Sequence, residues 1–319
     1  MIDHAKNAEI MMDLRSRHIG APRDIEFASH LERLLRRDDA GNLTAEAVRF
    51  AATGETRGIL VVDGPGGGKS TMVARALGKH PALQAHVDGQ PAFLGVSVPS
   101  PATLKSMGHE ILRRSGYPIV GERREAWSIW DLIKTRLRML GISVLWIDEA
   151  HDLFCKDSAQ ILRALKSLMQ GDDAVIVILS GTARLSEVIR SDPQVQRRFS
   201  VMNLRPVCAA TDGEDFHDII DAYCGVAGLD TDLSSDIVRR IFHSARYRFG
   251  RSIEAVLNTI EIALGQGAAS LENDHFARVY AMQEGCEPGR NIFLTDDWAA
   301  IDPDRVYDQP VTRKYSRKK

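Results

Sequence analysis

Short apolar blocks rich in β-branched residues recur along the first two thirds of the chain. Five of them have the length of a strand, at 58–63, 92–98, 142–148, 174–179 and, more weakly, 200–204. None alternates strictly between apolar and polar residues, which indicates burial on both faces of a sheet. Amphipathic helical patterns separate the blocks. Strands that alternate with helices predict an α/β fold, with a parallel sheet between layers of helices.

The strand pattern stops near Pro206, and the following residues have helical patterns up to about residue 285. We therefore expect an α/β core at 56–208 and a small helical domain at 209–285. Residues 1–55 are predicted to form a helical segment that leads into the core, with short helices at 22–37 and 44–52. Residues 286–319 have little helical periodicity and are expected to form an extended tail with a basic C-terminus.

A glycine-rich segment, DGPGGGKST at 63–71, lies directly after the first strand pattern and directly before a helix. It matches the phosphate-loop signature G-x-x-x-x-G-K-[ST] except at the first position, where this chain has Asp63. Glycines allow positive φ angles and let backbone N–H groups point at phosphate oxygens. Nucleotide contacts are predicted for the loop and the start of its helix, namely Gly64, Pro65, Gly66, Gly67, Gly68, Lys69, Ser70 and Thr71.

Three side chains of this segment have specific predicted roles. Lys69 would reach the β- and γ-phosphates and act in catalysis, and the Ser70 hydroxyl would ligate Mg²⁺. Thr71 is placed to hold the α-phosphate. Asp63 raises a question, because a carboxylate that faced the phosphates would repel them by roughly several kcal/mol in a poorly solvated site. We expect its side chain to point away from the phosphates, which would leave the loop functional.

Two carboxylates end the third strand pattern, in the segment VLWIDEAH at 144–151. Ligands bind at the carboxyl ends of strands in open α/β sheets, so Asp148 and Glu149 are placed at the expected edge. Asp148 would hold Mg²⁺, and Glu149 would act as the general base that deprotonates the attacking water. His151 is expected to be a structural residue at the start of the next helix.

Other polar positions fit the same site but admit alternatives. Ser180 and Thr182 follow the fourth strand and could contact the γ-phosphate, or Thr182 could simply cap the next helix. Arg198, with Arg197 as second choice, would be an arginine finger that reaches a neighbouring subunit; the alternative is a surface arginine pair. Arg251 in the helical domain would contact the nucleotide, or would form surface salt bridges.

Composition and charge restrict the function further. The net charge of −2 excludes a diffuse basic field, so any nucleic-acid surface must be local. No apolar run approaches the ~18 residues of a membrane span, and the N-terminus lacks the apolar stretch of a signal peptide. The four cysteines are scattered without a C-x-x-C pair. A reduced, cytoplasmic location with no membrane partner is expected.

The order of these motifs resembles that of the AAA+ P-loop ATPases, specifically the TniB/TnsC-like ATPases of transposition systems. The resemblance covers about residues 15–285, and its most specific parts are HIGAPRDIEFASHLERLL (18–35), DGPGGGKSTMV (63–73), VLWIDEAH (144–151), LSGTARL (179–185) and DPQVQRRF (192–199). It implies a five-stranded parallel sheet followed by a helical lid, with ATP and Mg²⁺ as cofactors. The segment from Ile19 to Arg23 would frame the adenine. The chain departs from the family pattern at Asp63 and at the spacing of the lid arginine.

The resemblance also implies partners. Such ATPases assemble as homo-oligomeric rings or filaments on duplex DNA, contact mainly its phosphates, and recruit a DDE-type transposase, with a TniQ-like targeting protein as a further expected partner. The basic segment TRKYSRKK at 312–319 would contact DNA or the transposase, or would merely solubilise the terminus. Two other hypotheses remain open: an AAA+ switch or assembly factor without a DNA role, and a nucleotide-binding scaffold in which Asp63 impairs hydrolysis.

Overall fold

The structure, a computed structural model, describes residues 3–50, 52–87, 89–118, 121, 123–154 and 158–305. The chain divides into two compact units. The core unit contains residues 20–205, and the helical unit contains residues 1–19 together with the chain from 206 onward. The basic segment at 312–319 lies outside the described residues.

The elements are numbered in chain order. The strands are β1 (Leu35–Arg37), β2 (Leu43–Ala47), β3 (Gly58–Val62), β4 (Ala85–Val87), β5 (Gln90–Pro91), β6 (Phe93–Ser97), β7 (Val144–Asp148), β8 (Ile176–Gly181), β9 (Phe199–Asn203), β10 (Asp230–Asp232) and β11 (Ser270–Glu272). The helices are α1 (His4–Ser16), α2 (Pro22–Glu32), α3 (Lys69–Lys79), α4 (Leu104–Arg114), α5 (Ala126–Met139), α6 (Ser158–Leu168), α7 (Ala183–Arg190), α8 (Pro193–Gln196), α9 (Ala209–Ala227), α10 (Ile237–Ser244), α11 (Phe249–Gln266) and α12 (Asn273–Glu284).

The core unit is built on a five-stranded sheet with the order β6-β7-β8-β3-β9, and each neighbouring pair is parallel. The five strands fall on the five apolar blocks of the sequence, which confirms the predicted parallel sheet. Strand β3 shows why these blocks lack alternation. Ile59 and Val61 pack on one face with α2 and α3, whereas Leu60 and Val62 pack on the other face with α4 to α7.

Two predicted helices near the N-terminus were wrong in part. Helix α2 ends at Glu32, and the last three residues of the predicted helix form β1, which pairs antiparallel with β2. The segment predicted as a helix at 44–52 therefore contributes a strand. The hairpin forms because a turn joins β1 to β2. In this turn the Asp38 side chain accepts hydrogen bonds from the backbone N–H groups of Ala40 and Asn42. This turn reverses the chain, so that Ala45 and Ala47 are buried on the apolar cluster beside α2.

The helical unit contains α1 and α9 to α12, with a short parallel pair between β10 and β11. Leu14 of α1 is fully buried in the same apolar cluster as Phe216 of α9 and Ile260 of α11. The N-terminal helix thus belongs to the helical unit, although the sequence boundaries place it in the segment that leads into the core. The described part of the predicted extended tail also packs here, because Ile292 and Phe293 are buried in this cluster.

Among the described residues, no helix combines the length and the apolar character that crossing a membrane requires.

Candidate nucleotide-binding site

The sheet order places the two sequence motifs on either side of one strand. The glycine-rich loop follows β3, the carboxylates end β7, and β8 lies between them. In the parallel register Val62 of β3 is opposite Gly181 of β8, and Ile147 of β7 is opposite Leu179. The carboxyl ends of the three strands therefore meet at one edge, where the loop, Asp148 and the end of β8 are neighbours.

The loop has the backbone that its glycines were predicted to supply. Gly66 and Gly68 have φ angles of 75° and 87°, a region that favours glycine over all other residues. Helix α3 begins at Lys69 with Gly68 as its N-cap, so the positive end of the helix faces the loop. The geometry is that of an anion-binding turn.

Lys69 is buried within this turn, with 4% of its surface exposed. Its Nζ donates hydrogen bonds to the carbonyl oxygens of Asp63, at 3.1 Å, and Gly64, at 3.0 Å. The ammonium group is thus held at the loop by backbone contacts. Ser70, which follows it, is half-buried and Thr71 is exposed. Hydroxyl and carboxylate oxygens such as those of Ser70 and Asp148 are the ligands that Mg²⁺ prefers, so the donor set fits a magnesium nucleotide.

The side chain of Asp63 packs against the loop, and the expectation that it points away from the phosphates stays a prediction. Its Oδ1 accepts a hydrogen bond from the backbone N–H of Gly64 at 2.7 Å, and the residue is only 8% exposed. Its carboxylate lies against Gly67, where an added Cβ would be 1.7 Å from Oδ2. The carboxylate is therefore part of the loop itself.

Arg23, at the start of α2, reaches the same segment. Its Nη1 donates a hydrogen bond to the carbonyl oxygen of Gly67 at 2.7 Å. Burial lowers the pKa of Arg23, and the charges of Asp24 and Asp63 oppose this effect. The guanidinium thus lies in the field of the Asp63 carboxylate and beside the loop.

The carboxylate of Asp148 is oriented by a chain of hydrogen bonds. Ser180 Oγ donates to Asp148 Oδ1 at 2.6 Å, and Trp146 Nε1 donates to Ser180 Oγ at 2.8 Å. Of the two polar candidates at the carboxyl end of β8, Ser180 therefore contacts the predicted magnesium ligand. Thr182 occupies the N-cap position of α7, but its side chain forms no capping hydrogen bond.

We expect Ser180→Ala to destabilise the core unit by about 1–3 kcal/mol, because Trp146 Nε1 loses its acceptor and Asp148 loses a donor. Urea unfolding of the full chain measures this change. Thr182→Ala is the matched control, and it should change the free energy of unfolding by less than about 0.5 kcal/mol. Equal effects of the two substitutions would contradict the hydrogen-bond chain.

Glu149 has an unusual backbone for a residue with a side chain, with φ at 52°. Non-glycine residues in this region are strained and concentrate at functional sites. Its side chain is 48% exposed, and Oε2 lies 3.2 Å from Nδ1 of His151. His151 itself lies in a 3-10 turn, Ala150–Phe154, at the position where the sequence predicts a structural residue. The strained turn therefore projects the accessible Glu149 carboxylate outward from the carboxyl edge of the sheet.

The arginine pair before β9 is divided between the interior and the surface. Arg198, the predicted finger, is only 2% exposed; its Nη2 donates to Glu55 Oε1 at 2.6 Å and its Nη1 to the Lys166 carbonyl at 3.1 Å. A guanidinium in this position is not available to a neighbouring subunit. Arg197 also contacts Glu55, at 2.9 Å, but 61% of its side chain is exposed. Of the pair, Arg197 is therefore the arginine that a second chain could contact.

Arg251, the remaining predicted nucleotide ligand, lies at the start of α11 in the helical unit. It lines a cavity of about 220 Å³ together with Arg246, Glu254, Tyr280 and Glu284. Arg246 forms ion pairs with Glu284 at 2.9 Å and with Asp304 at 2.5 Å, so charged residues already surround this position. The contact of Arg251 with nucleotide remains a prediction.

Three residues of the site were missed by sequence reasoning. Trp146 is in an apolar strand and carries no obvious sign of its hydrogen bond to Ser180. Glu55 precedes β3 in a polar segment, and nothing local shows that it is the buried partner of Arg198. Arg23 was noted only as part of a segment for adenine; a basic residue near the start of a helix gives no signal for a contact with a loop 44 residues further along the chain.

Comparison with known proteins identifies the family and the fold. The family model described as the bacterial TniB protein matches residues 15–207. None of the curated proteins matches the sequence. Similar solved structures include the Orc1 protein of Aeropyrum pernix in complex with DNA, with a TM-score of 0.61 and 16% identity over 88% of this chain and 69% of that one. They also include Cdc6p from Pyrobaculum aerophilum, with a TM-score of 0.58 and 16% identity over 88% of this chain and 74% of that one.

A third similar structure is the ORC2 protein of Aeropyrum pernix in its ADPNP-ADP complexes, with a TM-score of 0.60 and 16% identity over 88% of this chain and 75% of that one. At such identities the likeness establishes the fold alone. That fold is the P-loop AAA+ fold, as the sequence motifs predicted.

Proposed function

The chain belongs to the TniB family, and from this premise we propose that it is an ATP-dependent regulator of DNA transposition. It would bind and hydrolyse ATP, form homo-oligomers on duplex DNA without strong sequence preference, and recruit or activate a DDE-type transposase. A TniQ-like targeting protein is a further proposed partner. One observation supports the proposed ATPase activity: the glycine-rich loop lies at the same edge of the sheet as the hydrogen-bonded pair Asp148 and Ser180.

Each proposed role follows from the position of a residue. The loop residues from Gly64 to Gly68 would surround the phosphates, and Lys69 would neutralise their charge. Ser70 and Asp148 would hold Mg²⁺, which would withdraw charge from the phosphate oxygens. Glu149 would accept a proton from the attacking water.

The remaining polar residues would position groups around the nucleotide or contact the nucleotide of a neighbouring chain. Ser180 would keep the Asp148 carboxylate in one orientation, and Thr182 would lie close to the end of the phosphate chain. Arg197 is the arginine that we propose to act on a neighbour's nucleotide, because Arg198 is buried. Assembly that depends on such a contact would be sensitive to the γ-phosphate.

A DNA-binding assay with the full chain tests the transposition part. Binding to a fluorescent duplex is expected with ATP or a slowly hydrolysed analogue and Mg²⁺, and weaker binding with ADP. The affinity should be similar for duplexes of different sequence and should fall steeply with salt, because phosphate contacts release counterions. ATP turnover without any DNA binding would instead support an assembly factor with no DNA role.

Lys69→Ala is the variant that connects DNA binding to the nucleotide. It removes a charge-assisted contact to phosphate worth about 1.5–3 kcal/mol, so ATP should bind roughly 10–100-fold more weakly. DNA binding at limiting ATP should fall in parallel. Lys79→Ala, at the exposed end of the same helix, is the matched control and should retain both affinities. Undiminished ATP binding by Lys69→Ala would contradict the proposed site.

A further inference from the structure

Asp63 and Gly67 are complementary in shape. The carboxylate of Asp63 occupies the place where a side chain at position 67 would begin: an added Cβ there would be 1.7 Å from Oδ2 and 2.5 Å from Cγ. Such distances exclude any side chain at 67 unless Asp63 moves. The loop accommodates a carboxylate at its first position because it has no side chain at its fifth.

The Asp63 carboxylate is also bound to the loop by a hydrogen bond. Its Oδ1 accepts from the N–H of Gly64 at 2.7 Å, and the residue is almost entirely buried. A buried negative charge beside a site for a triphosphate opposes binding unless a positive charge compensates it. Lys69 donates to the backbone carbonyls of Asp63 and Gly64, so its contacts here are to main-chain oxygens.

Arg23 supplies a second positive charge at this place. Its Nη1 donates to the Gly67 carbonyl at 2.7 Å, and its Nη2 lies 3.1 Å from the position of an added Cβ on Gly68. The guanidinium therefore contacts the part of the loop against which the Asp63 carboxylate packs. Burial lowers the pKa of Arg23, and the charges of Asp24 and then of Asp63 act in the opposite direction, so Asp63 is one of two carboxylates that attract this guanidinium.

We propose that Asp63, Gly67 and Arg23 form one positioning unit for the phosphate loop. Arg23 neutralises the Asp63 carboxylate and holds the Gly67 carbonyl, so that the loop binds a nucleoside triphosphate even though its first glycine is replaced. This inference rests on the proposed nucleotide-binding function. It assigns Arg23 a role that acts through the loop.

A double-mutant cycle tests the electrostatic part. Arg23→Gln and Asp63→Asn remove one charge each. Asn has the size of Asp, whereas Gln is shorter than Arg but keeps a polar end that can donate a hydrogen bond. The affinity for a fluorescently labelled ADP with Mg²⁺ is measured for both single variants and the double variant, and the melting temperature of each is measured without nucleotide. Arg33→Gln, an exposed arginine at the end of α2, is the matched control.

The expected result is coupling between the two positions. Arg23→Gln should weaken binding roughly tenfold or more, because it leaves the buried carboxylate uncompensated. Adding Asp63→Asn to it should recover most of that loss, and Arg33→Gln should bind like the wild type. Additive effects, or no effect of Arg23→Gln, would overturn the inference. A structural role alone would lower the melting temperatures without coupling the affinities.

A second pair of variants tests the shape. Gly67→Thr should abolish labelled-ADP binding, whereas Asp63→Gly combined with Gly67→Thr should restore it. Normal binding by Gly67→Thr alone would overturn the inference. Lys69→Ala distinguishes failure of this inference from failure of the proposed function. If the wild type binds labelled ADP and Lys69→Ala does not, the nucleotide site is supported whatever the Arg23, Asp63 and Gly67 variants show. If the wild type itself fails to bind, the proposed function fails.

Discussion

Glu149→Gln is expected to reduce ATP hydrolysis by about 10²–10⁴-fold and to leave ATP binding intact. The amide has the shape of the carboxylate but does not accept a proton from the attacking water, so the loss falls on the chemical step. Glu149 has a strained φ of 52°, and we expect Gln to keep this backbone because it has the size and branching of Glu. Phosphate release by the full chain measures turnover, and labelled-nucleotide titration measures affinity.

If ATP supports assembly on DNA, the same variant should accumulate in the assembled state. Its complex with duplex DNA should persist for far longer than that of the wild type after ATP is added. Asp152→Asn is the matched control, since its exposed carboxylate lies near the same histidine, with Oδ1 3.8 Å from His151 Nε2. Turnover at the normal rate in Glu149→Gln, or an equal loss in Asp152→Asn, would refute the base assignment.

Arg198→Ala is expected to destabilise the core unit by about 3–5 kcal/mol, because it leaves the Glu55 carboxylate buried with one partner fewer. For a unit of this size the melting temperature should fall by about 10 °C. Arg197→Ala should change stability by less than about 1 kcal/mol, since this arginine is largely exposed. Thermal melts of the two variants distinguish the roles.

A second variant, which removes both charges, keeps the test informative if Arg198→Ala fails to fold. Glu55→Gln combined with Arg198→Met leaves no uncompensated charge in the interior, so it should be more stable than Arg198→Ala. In ATPase assays at rising protein concentration, Arg197→Ala should lose the increase in specific activity that oligomers provide. Normal stability of Arg198→Ala would show that the Glu55 contact is dispensable, and an unchanged concentration dependence in Arg197→Ala would refute its role between chains.

The sheet and the two motifs at its edge were predictable because their signals are local in sequence. An apolar strand buried on both faces, such as 144–148, carries the same pattern wherever it lies in the sheet. The glycine-rich loop is likewise a continuous segment, and its positive φ angles at Gly66 and Gly68 follow from residues that permit them. The boundaries of β3, β6, β7, β8 and β9 agree with the predicted blocks to within two residues.

The predictions that were wrong, and the features that the sequence did not show, concern residues whose environment depends on distant partners. The burial of Arg198 depends on Glu55, which is 143 residues away in sequence. The hairpin of β1 and β2 replaced a predicted helix because pairing and burial of alternate residues outweigh weak helical periodicity. The direction of the Asp63 carboxylate depends on the absence of a side chain at Gly67.

The sequence by itself determined the fold class, the family and the position of the phosphate loop and its acidic partner strand. Only the tertiary structure decided which arginine of the pair is exposed, which hydroxyl holds Asp148, and how Asp63 fits within the loop. The physical reason is that local backbone preferences and apolar periodicity are properties of short segments. The burial and pairing of a charge instead depend on which distant groups the fold brings within hydrogen-bond distance.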